Sequence, residues 1–348
     1  MFRKNLIILG CFVSLLFAAG NRVVAYFPYW VQYSQFTPED VRYDFLTDIH
    51  YGYLVPSEDG SLNFADETDI PNFEKMVSLA KEKKVNIMVN IGGVGNEDAM
   101  KTVATNESAC RALIVAAKEF VEKYGLTGVE LDWIPKEPED FEAFKALVDA
   151  FTKSGIVTSA SVIGSVEAPA LYSAEALNKL EYISVVLTDQ MNESMEKVVP
   201  NSDFVFAQKV LTSYVNAGVK AENVLPVVPF YGKSFYKATG LGSAYEGVGS
   251  GNEGILSYNQ LMKVFDSPDY KVSFDENTQS EVAVSAIETV VFNGIPSMKS
   301  LASFVKKNGL GGIAAYDVSG DHKHPVVSLL VTIGQVLRPD VTYNVKKK

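Results

Sequence analysis

Two carboxylates stand two residues apart in an apolar stretch, residues 126–135, whose sequence is LTGVELDWIP. Its side chains alternate in character, so Glu130, Asp132 and Ile134 share one face of a predicted strand. Trp133 lies on the other face, where we expect it to pack under a helix. Buried charge is costly unless it is paired. The stretch therefore indicates a site that handles protons or polar substrate groups, or a structural carboxyl pair that shares one proton.

This stretch resembles the active-site strand of the family 18 glycoside hydrolases, the chitinases and endo-N-acetylglucosaminidases, whose pattern is D-G-x-D-x-D-x-E. Gly128 and Asp132 match that pattern, and Glu130 replaces its middle Asp. Thr127 replaces the first Asp, and Ile134 stands at the position of the proton-donating Glu. The resemblance therefore implies a catalytic strand that lacks its acid.

Other segments resemble strands of the same family, in the same order along the chain. Residues 21–30 are similar to the first barrel strand with its aromatic exit, and residues 224–233 are similar to the seventh, which ends P-F-Y-G-R. Residues 85–93 resemble the third strand, where Asn90 takes the Ser position of S-x-G-G. The resemblance runs from about residue 22 to about residue 321, and the shared order of its motifs is what implies the fold.

Two further strand ends carry residues of interest. The sixth strand of the family ends M-x-Y-D; here Val186 and Thr188 replace the Met and the Tyr, while Asp189 is kept. At the end of the eighth strand, Tyr316 stands at the position of a Trp that stacks on sugar. The second replacement of a catalytic side chain, at Thr188, makes compensation for the missing acid less plausible.

The resemblance implies substrate-assisted hydrolysis, in which the 2-acetamido oxygen of the sugar attacks the anomeric carbon. One carboxylic acid protonates the leaving oxygen, an Asp holds the acetamido N–H, and a Tyr hydroxyl holds the acetamido oxygen. By position, Asp132 would hold the N–H, Ile134 cannot donate a proton, and Thr188 is too short to replace the Tyr. General acid catalysis contributes about 10²–10⁴ in rate. Glu130, Asp132, Ile134 and Thr188 are therefore expected to be vestiges of a catalytic site.

The same strand ends supply aromatic faces and hydrogen-bonding groups, which a sugar-binding cleft needs with or without chemistry. The predicted glycan-binding residues are Tyr26, Tyr29, Trp30, Asn90, Asp132, Asp189, Tyr231 and Tyr316. Tyr29 and Trp30 could instead be ordinary apolar residues at a strand exit. We expect a catalytically inactive, chitinase-like protein that binds glycans containing N-acetylglucosamine and uses no cofactor.

Two alternatives stay open at this stage. The first is a weak or altered glycosidase whose acid is Glu137, three residues beyond Ile134, although that odd offset points Glu137 away from the face of Asp132. The second is a protein-interaction scaffold or inhibitor that keeps only the fold. His322 and His324 lie close together but lack the ligand count of a metal site, so no metal is expected.

Predicted strands alternate with predicted helices along the whole chain. Besides the strands above, residues 48–54 and 156–163 have strand character, and no repeat or low-complexity linker interrupts the pattern. Eight such units predict a closed (β/α)8 TIM barrel, formed as one domain by residues 21–340. Residues 234–291 are too long for an ordinary connection between strands seven and eight, and predict a reduced α+β insertion or a long loop.

Residues 1–20 combine a basic start, an apolar run and small residues, which predicts a cleaved signal peptide and a secreted, extracellular or periplasmic protein. Lipid attachment at Cys11 is an alternative. No other segment approaches the roughly 18 apolar residues of a membrane span. The sequence contains glycosylation sequons at Asn106 and Asn192, which matter only in a eukaryotic secretory pathway.

The composition limits the classes of partner. The net charge is −11 and no basic stripe is present, which argues against nucleic acid and anionic membranes but suits a neutral glycan. Residues 341–348 form a basic tail.

Cys110 is the single cysteine beyond the predicted signal peptide, so we expect no internal disulfide and a buried thiol. We expect a monomer.

Overall fold

The computed structural model describes residues 22–189 and 196–341. The predicted signal peptide at residues 1–20, the sequon at Asn192 and nearly all of the basic tail lie outside the described residues.

Fifteen strands lie within the described part of the chain. They are β1 (Arg22–Pro28), β2 (Asp48–Pro56), β3 (Leu62–Phe64), β4 (Asn86–Gly92), β5 (Gly128–Asp132), β6 (Thr158–Ile163), β7 (Ile183–Val186), β8 (Val224–Pro229), β9 (Tyr231–Tyr236), β10 (Gly247–Val248), β11 (Ile255–Ser257), β12 (Lys271–Asp275), β13 (Ser280–Val284), β14 (Glu288–Phe292) and β15 (Gly312–Tyr316).

Nine α-helices lie in the same ranges, together with short 3₁₀ turns. They are α1 (Ile70–Lys83), α2 (Glu97–Thr105), α3 (Glu107–Tyr124), α4 (Pro138–Lys153), α5 (Ala174–Leu177), α6 (Phe204–Asn216), α7 (Tyr258–Phe265), α8 (Ile295–Lys307) and α9 (Leu329–Leu337). Among the described residues, no helix is long and apolar enough to cross a membrane.

Eight parallel strands close into a barrel in the order β1, β2, β4, β5, β6, β7, β8, β15, and β1 pairs with both β2 and β15. Helices pack around the barrel with their apolar faces inward; α4, for example, buries Phe144, Leu147, Val148 and Phe151. The predicted (β/α)8 barrel is confirmed. Trp133 is buried, with its ring centroid 6.4 Å from that of Phe144, as the strand alternation predicted.

The connection between β8 and β15 forms a second sheet. Strands β9 to β14 pair antiparallel in the order β10, β9, β14, β13, β12, with β11 also paired to β9, and α7 lies between β11 and β12. The segment is therefore an α+β insertion and not a long loop. It begins earlier than expected: β8 ends at Pro229, Phe230 bridges to Tyr316 through its N–H, and Tyr231 already belongs to β9.

Candidate functional site

A cavity of 280 Å³ opens at the carboxyl ends of the barrel strands, the end where barrels of this type carry their sites. It is lined by Tyr26, Tyr53, Val94, Asp132, Ile134, Ser161, Val186, Thr188, Asp189, Val227 and Tyr316. The structure thus brings together side chains from all eight barrel strands or the residues just beyond them. Several of the predicted site residues are among them.

A second cavity of 430 Å³ adjoins the first and shares Asp189 and Tyr316 with it. Trp30 forms part of its wall, and the insertion contributes Asn252 and Gln260. We call the two cavities together the cleft. A larger cavity of 650 Å³, lined mainly by apolar side chains between α6 and the insertion, contains none of the predicted site residues. We therefore assign the site to the cleft on its chemistry rather than by volume.

Glu130 lies fully buried below the cleft and accepts hydrogen bonds from several hydroxyl groups. Tyr26 Oη is 2.7 Å from Oε1, and Ser161 Oγ is 3.1 Å from the same oxygen. Ser159 Oγ and Ser184 Oγ are 2.9 Å and 3.0 Å from Oε2. Burial raises the pKa of Glu130, and the hydroxyl groups oppose that rise. Both carboxylate oxygens are occupied within the barrel, so Glu130 has a structural role.

Asp132 lines the 280 Å³ cavity and is partly exposed. Burial, and then the charge of Glu130, raise the pKa of Asp132 to about 6. The two carboxylates share one strand face, but they differ in depth. Glu130 lies in the interior among hydroxyl donors, and Asp132 lies at the cleft floor, where a ligand can reach it. The structure therefore separates a carboxyl in the barrel interior from one that faces the cavity.

Two predicted binding residues do not line the cleft. Asn90 is fully buried, with Nδ2 3.4 Å from both Glu130 Oε1 and Asp132 Oδ2, so it bridges the two carboxyls and lies beneath the cleft floor. Its Oδ1 faces His50 Nδ1 at 3.1 Å, and burial lowers the pKa of His50 to about 4. Tyr29 begins a 3₁₀ turn after β1, which directs its side chain against the hydrophobic core.

Aromatic side chains form one side of the cleft. The Tyr26 and Tyr316 ring centroids are 5.6 Å apart, and the Tyr316 hydroxyl lies 3.3 Å from that of Tyr53. Trp30 stacks on Tyr53 with centroids 5.8 Å apart and an interplanar angle of 29°. Tyr53 was not among the predicted site residues; its only signal in the sequence is an aromatic side chain at the end of the predicted second strand.

Asp189 stands on the wall that the two cavities share. Its carboxylate accepts a hydrogen bond from the Tyr231 hydroxyl and pairs with the Lys233 ammonium group. Both partners come from β9, so the insertion fixes the orientation of Asp189. The predicted residues Asp189 and Tyr231 are thus in direct contact, and Lys233 contacts Asp189 as well. Thr188 lies next to Asp189 in the lining of the 280 Å³ cavity.

Glu137 lies outside the cleft. It is the N-cap residue of α4; its backbone carbonyl accepts a hydrogen bond from the N–H of Asp140 at 2.9 Å, and the Asp140 carboxylate accepts the Glu137 N–H at 3.1 Å. Ile134, by contrast, lines the 280 Å³ cavity. Across residues 22–189 and 196–341, no group of three or more His, Cys, Asp or Glu side chains could hold a metal ion.

The raised pKa of Asp132 predicts a pH-dependent stability. Well below pH 4 the carboxyl is protonated in both the folded and the unfolded state. As the pH rises through about 4, the unfolded chain releases this proton first, so the free energy of unfolding falls until the pH passes about 6. Asp132→Asn should therefore stabilise the protein at pH 7.5 relative to pH 3.5 by up to about 3 kcal/mol, measured by urea denaturation. Equal effects of the substitution at the two pH values would contradict the assignment.

Comparisons with known proteins agree with the geometry. A family model described as glycosyl hydrolases family 18 matches residues 22–321. The chain is 23% identical to a chitinase-like mite allergen, Der f 18.0101 of Dermatophagoides farinae, over 88% of this chain and 72% of the relative. It is also 23% identical to human chitinase-3-like protein 2 over 90% of each chain.

Solved structures share the fold over nearly the whole chain. Catalytic domain 2 of the Group II chitinase of Ostrinia furnacalis is 25% identical, with a TM-score of 0.85 over 92% of this chain and 97% of that domain. A mutant of the same domain in complex with penta-N-acetylchitooctaose, (NAG)5, is 24% identical with a TM-score of 0.85.

Proposed function

The chain belongs to glycosyl hydrolases family 18, and we propose that within this family it is a chitinase-like protein that binds glycans containing N-acetylglucosamine and does not hydrolyse them. The observation that carries this proposal is the lining of the 280 Å³ cavity, which contains Ile134 and Thr188 beside Asp132. Neither side chain can supply the proton or the phenolic hydroxyl that the chemistry of the family requires.

The remaining acids of that cavity do not replace the missing one. Its carboxylates are Asp132 and Asp189, and Asp189 is held by Lys233 and Tyr231. Asp132 is assigned by position to the acetamido N–H. Glu137, the acid of the alternative glycosidase, is an exposed residue at the N-cap of α4 and lines neither cavity of the cleft. Proton transfer needs hydrogen-bond reach first, so the positions of these groups favour binding over hydrolysis.

Several features support glycan binding. Tyr26, Tyr53 and Tyr316 present ring surface to the cavity, and Asp132 and Ser161 supply polar atoms on its floor. Aromatic faces combined with a few hydrogen-bonding groups are what a sugar-binding site needs. The Ostrinia furnacalis domain of the same fold was solved with (NAG)5, and we propose the same class of ligand here.

We also propose that the protein is exported, with residues 1–20 as its signal peptide. Export would place the cleft where chitin and related polymers occur. The free thiol is compatible with an oxidising compartment, because Cys110 is buried in α3.

Calorimetry with N-acetylated chitin oligosaccharides tests the proposal. We expect micromolar to millimolar binding, about −8 to −4 kcal/mol, and no release of fluorophore from an N-acetylglucosamine glycoside above the buffer rate. Tyr316→Ala should weaken binding by about 1–3 kcal/mol, because the ring surface shared by the two cavities is lost.

Tyr236→Ala is the matched control, because Tyr236 is an exposed tyrosine of β9 that lines neither cavity. It should leave the affinity unchanged. Absence of binding to every amino-sugar polymer tested would favour the interaction scaffold instead. Robust turnover that disappears in Glu137→Gln would replace the proposal with the glycosidase.

A further inference from the structure

The insertion sheet ends in an open edge at β12. Among the described residues, β12 pairs only with β13, so the N–H and C=O groups on its other side have no strand partner. Every residue from Lys271 to Phe274 is exposed. An open edge is a template for pairing with a further strand.

Two apolar side chains on β12 continue one face of this sheet, whose strands β13 and β14 are buried on both faces. Val272 is opposite Ala283 on β13, and Ala283 is opposite Val290 on β14; both partners are fully buried. Val272 and Phe274 lie on the same face but remain 42% and 39% exposed. Phe274 is opposite Glu281, whose buried carboxyl belongs to the same face. The face therefore reaches the open edge with two apolar side chains that are only partly covered.

The sequence of β12 is complementary to itself. If two copies of Lys-Val-Ser-Phe-Asp pair antiparallel about Ser273, Lys271 of each copy is opposite Asp275 of the other. In the same register Val272 is opposite Phe274. Opposite charges and aromatic with β-branched residues are the cross-strand pairs that stabilise antiparallel sheets. An edge strand of another protein would form these two terminal ion pairs only if it carried the same arrangement of charges.

We propose that two copies of this protein associate through β12, with Ser273 at a two-fold axis, and form one antiparallel sheet across both insertions. Such an interface is isologous, because each copy contributes the same patch. The proposal replaces the monomer expected from the sequence. The cleft stays open in this dimer, because β13 and β14 separate β12 from β9, the strand that reaches the cleft wall.

The dimer should be weak. Two five-residue strands bury less than the roughly 1,200 Å² of a standard interface, so we expect a dissociation constant on the order of 100 µM. Sedimentation velocity of the purified chain should show mainly monomer at about 10 µM and mainly dimer at about 1 mM. These concentrations lie roughly tenfold below and tenfold above the expected dissociation constant.

Charge reversal at either end should break this association selectively. Lys271→Asp places like charges opposite each other at both ends of the pair, and so does Asp275→Lys. Each should weaken dimerisation by about tenfold or more. An equimolar mixture of the two variants should dimerise again, because every cross-strand pair is then of opposite charge. Lys118→Asp, at an exposed lysine of α3, changes the net charge equally and should have no effect.

Asp275 also accepts hydrogen bonds from Thr278 N at 2.9 Å and Thr278 Oγ1 at 3.0 Å, so its replacement by lysine could disturb the turn before β13. Asp275→Asn keeps that acceptor. Added to Lys271→Asp, it should remove the repulsion and recover most of the lost dimer, which keeps the test informative if Asp275→Lys folds poorly.

Disulfide trapping supplies a second readout. Residues opposite each other in an antiparallel pair have Cα atoms about 4.5–5.5 Å apart, within the range of a disulfide. Ser273→Cys should therefore cross-link to a dimer under mild oxidation, much faster than Lys118→Cys at equal concentration. A wild-type chain that stays monomeric at 1 mM, a dimer insensitive to the charge reversals, or equal cross-linking of the two cysteine variants would each overturn the proposal.

Discussion

Ile134→Glu combined with Thr188→Tyr should give clearly measurable hydrolysis of a fluorogenic N-acetylglucosamine oligosaccharide, whereas Ile134→Glu alone should be barely above buffer. Both positions line the 280 Å³ cavity together with Asp132. The double variant tests whether the proposed loss of activity rests on these two side chains.

The two restored groups supply different parts of the chemistry: the carboxyl at position 134 supplies the proton, and the phenolic hydroxyl at position 188 holds the acetamido oxygen. A carboxyl at position 134 would be desolvated at the cleft floor and close to Asp132, and both effects raise its pKa toward the protonated form that a general acid needs. General acid catalysis contributes about 10²–10⁴ in rate. A hydrogen-bond donor held at the acetamido oxygen contributes about 10²–10³ more in rate. Ile134→Glu alone lacks that donor, because position 188 is still a threonine.

Matched controls separate chemistry from repacking. Ile134→Gln with Thr188→Tyr has nearly the same shape as the active double variant, but its amide is not acidic enough to protonate the leaving oxygen. It should remain inactive. Adding Glu137→Gln to the active double variant should leave its rate unchanged, because Glu137 lies outside the cleft as a helix cap. If the double variant folds, binds the oligosaccharide and is wholly inert, the assignment of positions 134 and 188 to the catalytic groups is wrong.

Glu130→Leu should lower the free energy of unfolding by about 3–5 kcal/mol, measured by chemical denaturation at neutral pH. Leucine fills a similar volume but accepts no hydrogen bond, so the hydroxyl groups of Tyr26, Ser159, Ser161 and Ser184 would lose their acceptor inside the barrel. A buried donor left without a partner costs about 1–3 kcal/mol. Partial re-pairing among the hydroxyl groups keeps the total below the sum of the four.

Glu130→Gln is the control for this prediction, because its amide oxygen still accepts from the hydroxyl groups. It should cost much less than the leucine variant, and it should leave oligosaccharide affinity nearly unchanged if Glu130 serves only the barrel interior. A loss below about 1 kcal/mol for Glu130→Leu would mean that the hydroxyl groups find other acceptors. The structural role assigned to Glu130 would then be wrong.

The sequence by itself determined the architecture and the end of the barrel that carries the cleft. Alternating stretches such as the one that contains Trp133 predict strands with one face toward the helices, and the motifs ending at Asp132, Asp189 and Tyr316 all fall at carboxyl ends of parallel strands. Strand period and chain order are local properties, so they can be read without knowing which strands are neighbours.

Only the tertiary structure decided what each polar side chain contacts. Glu130 and Asp132 have the same strand parity, yet closure of the barrel surrounds the first with hydroxyl groups of β1, β6 and β7 and leaves the second at the cleft floor. Closure also places Asn90 beneath that floor and Tyr53 on the wall. The depth at which a side chain is buried depends on residues of other strands that are far away in sequence. The local hydrophobic period does not predict which residues these are.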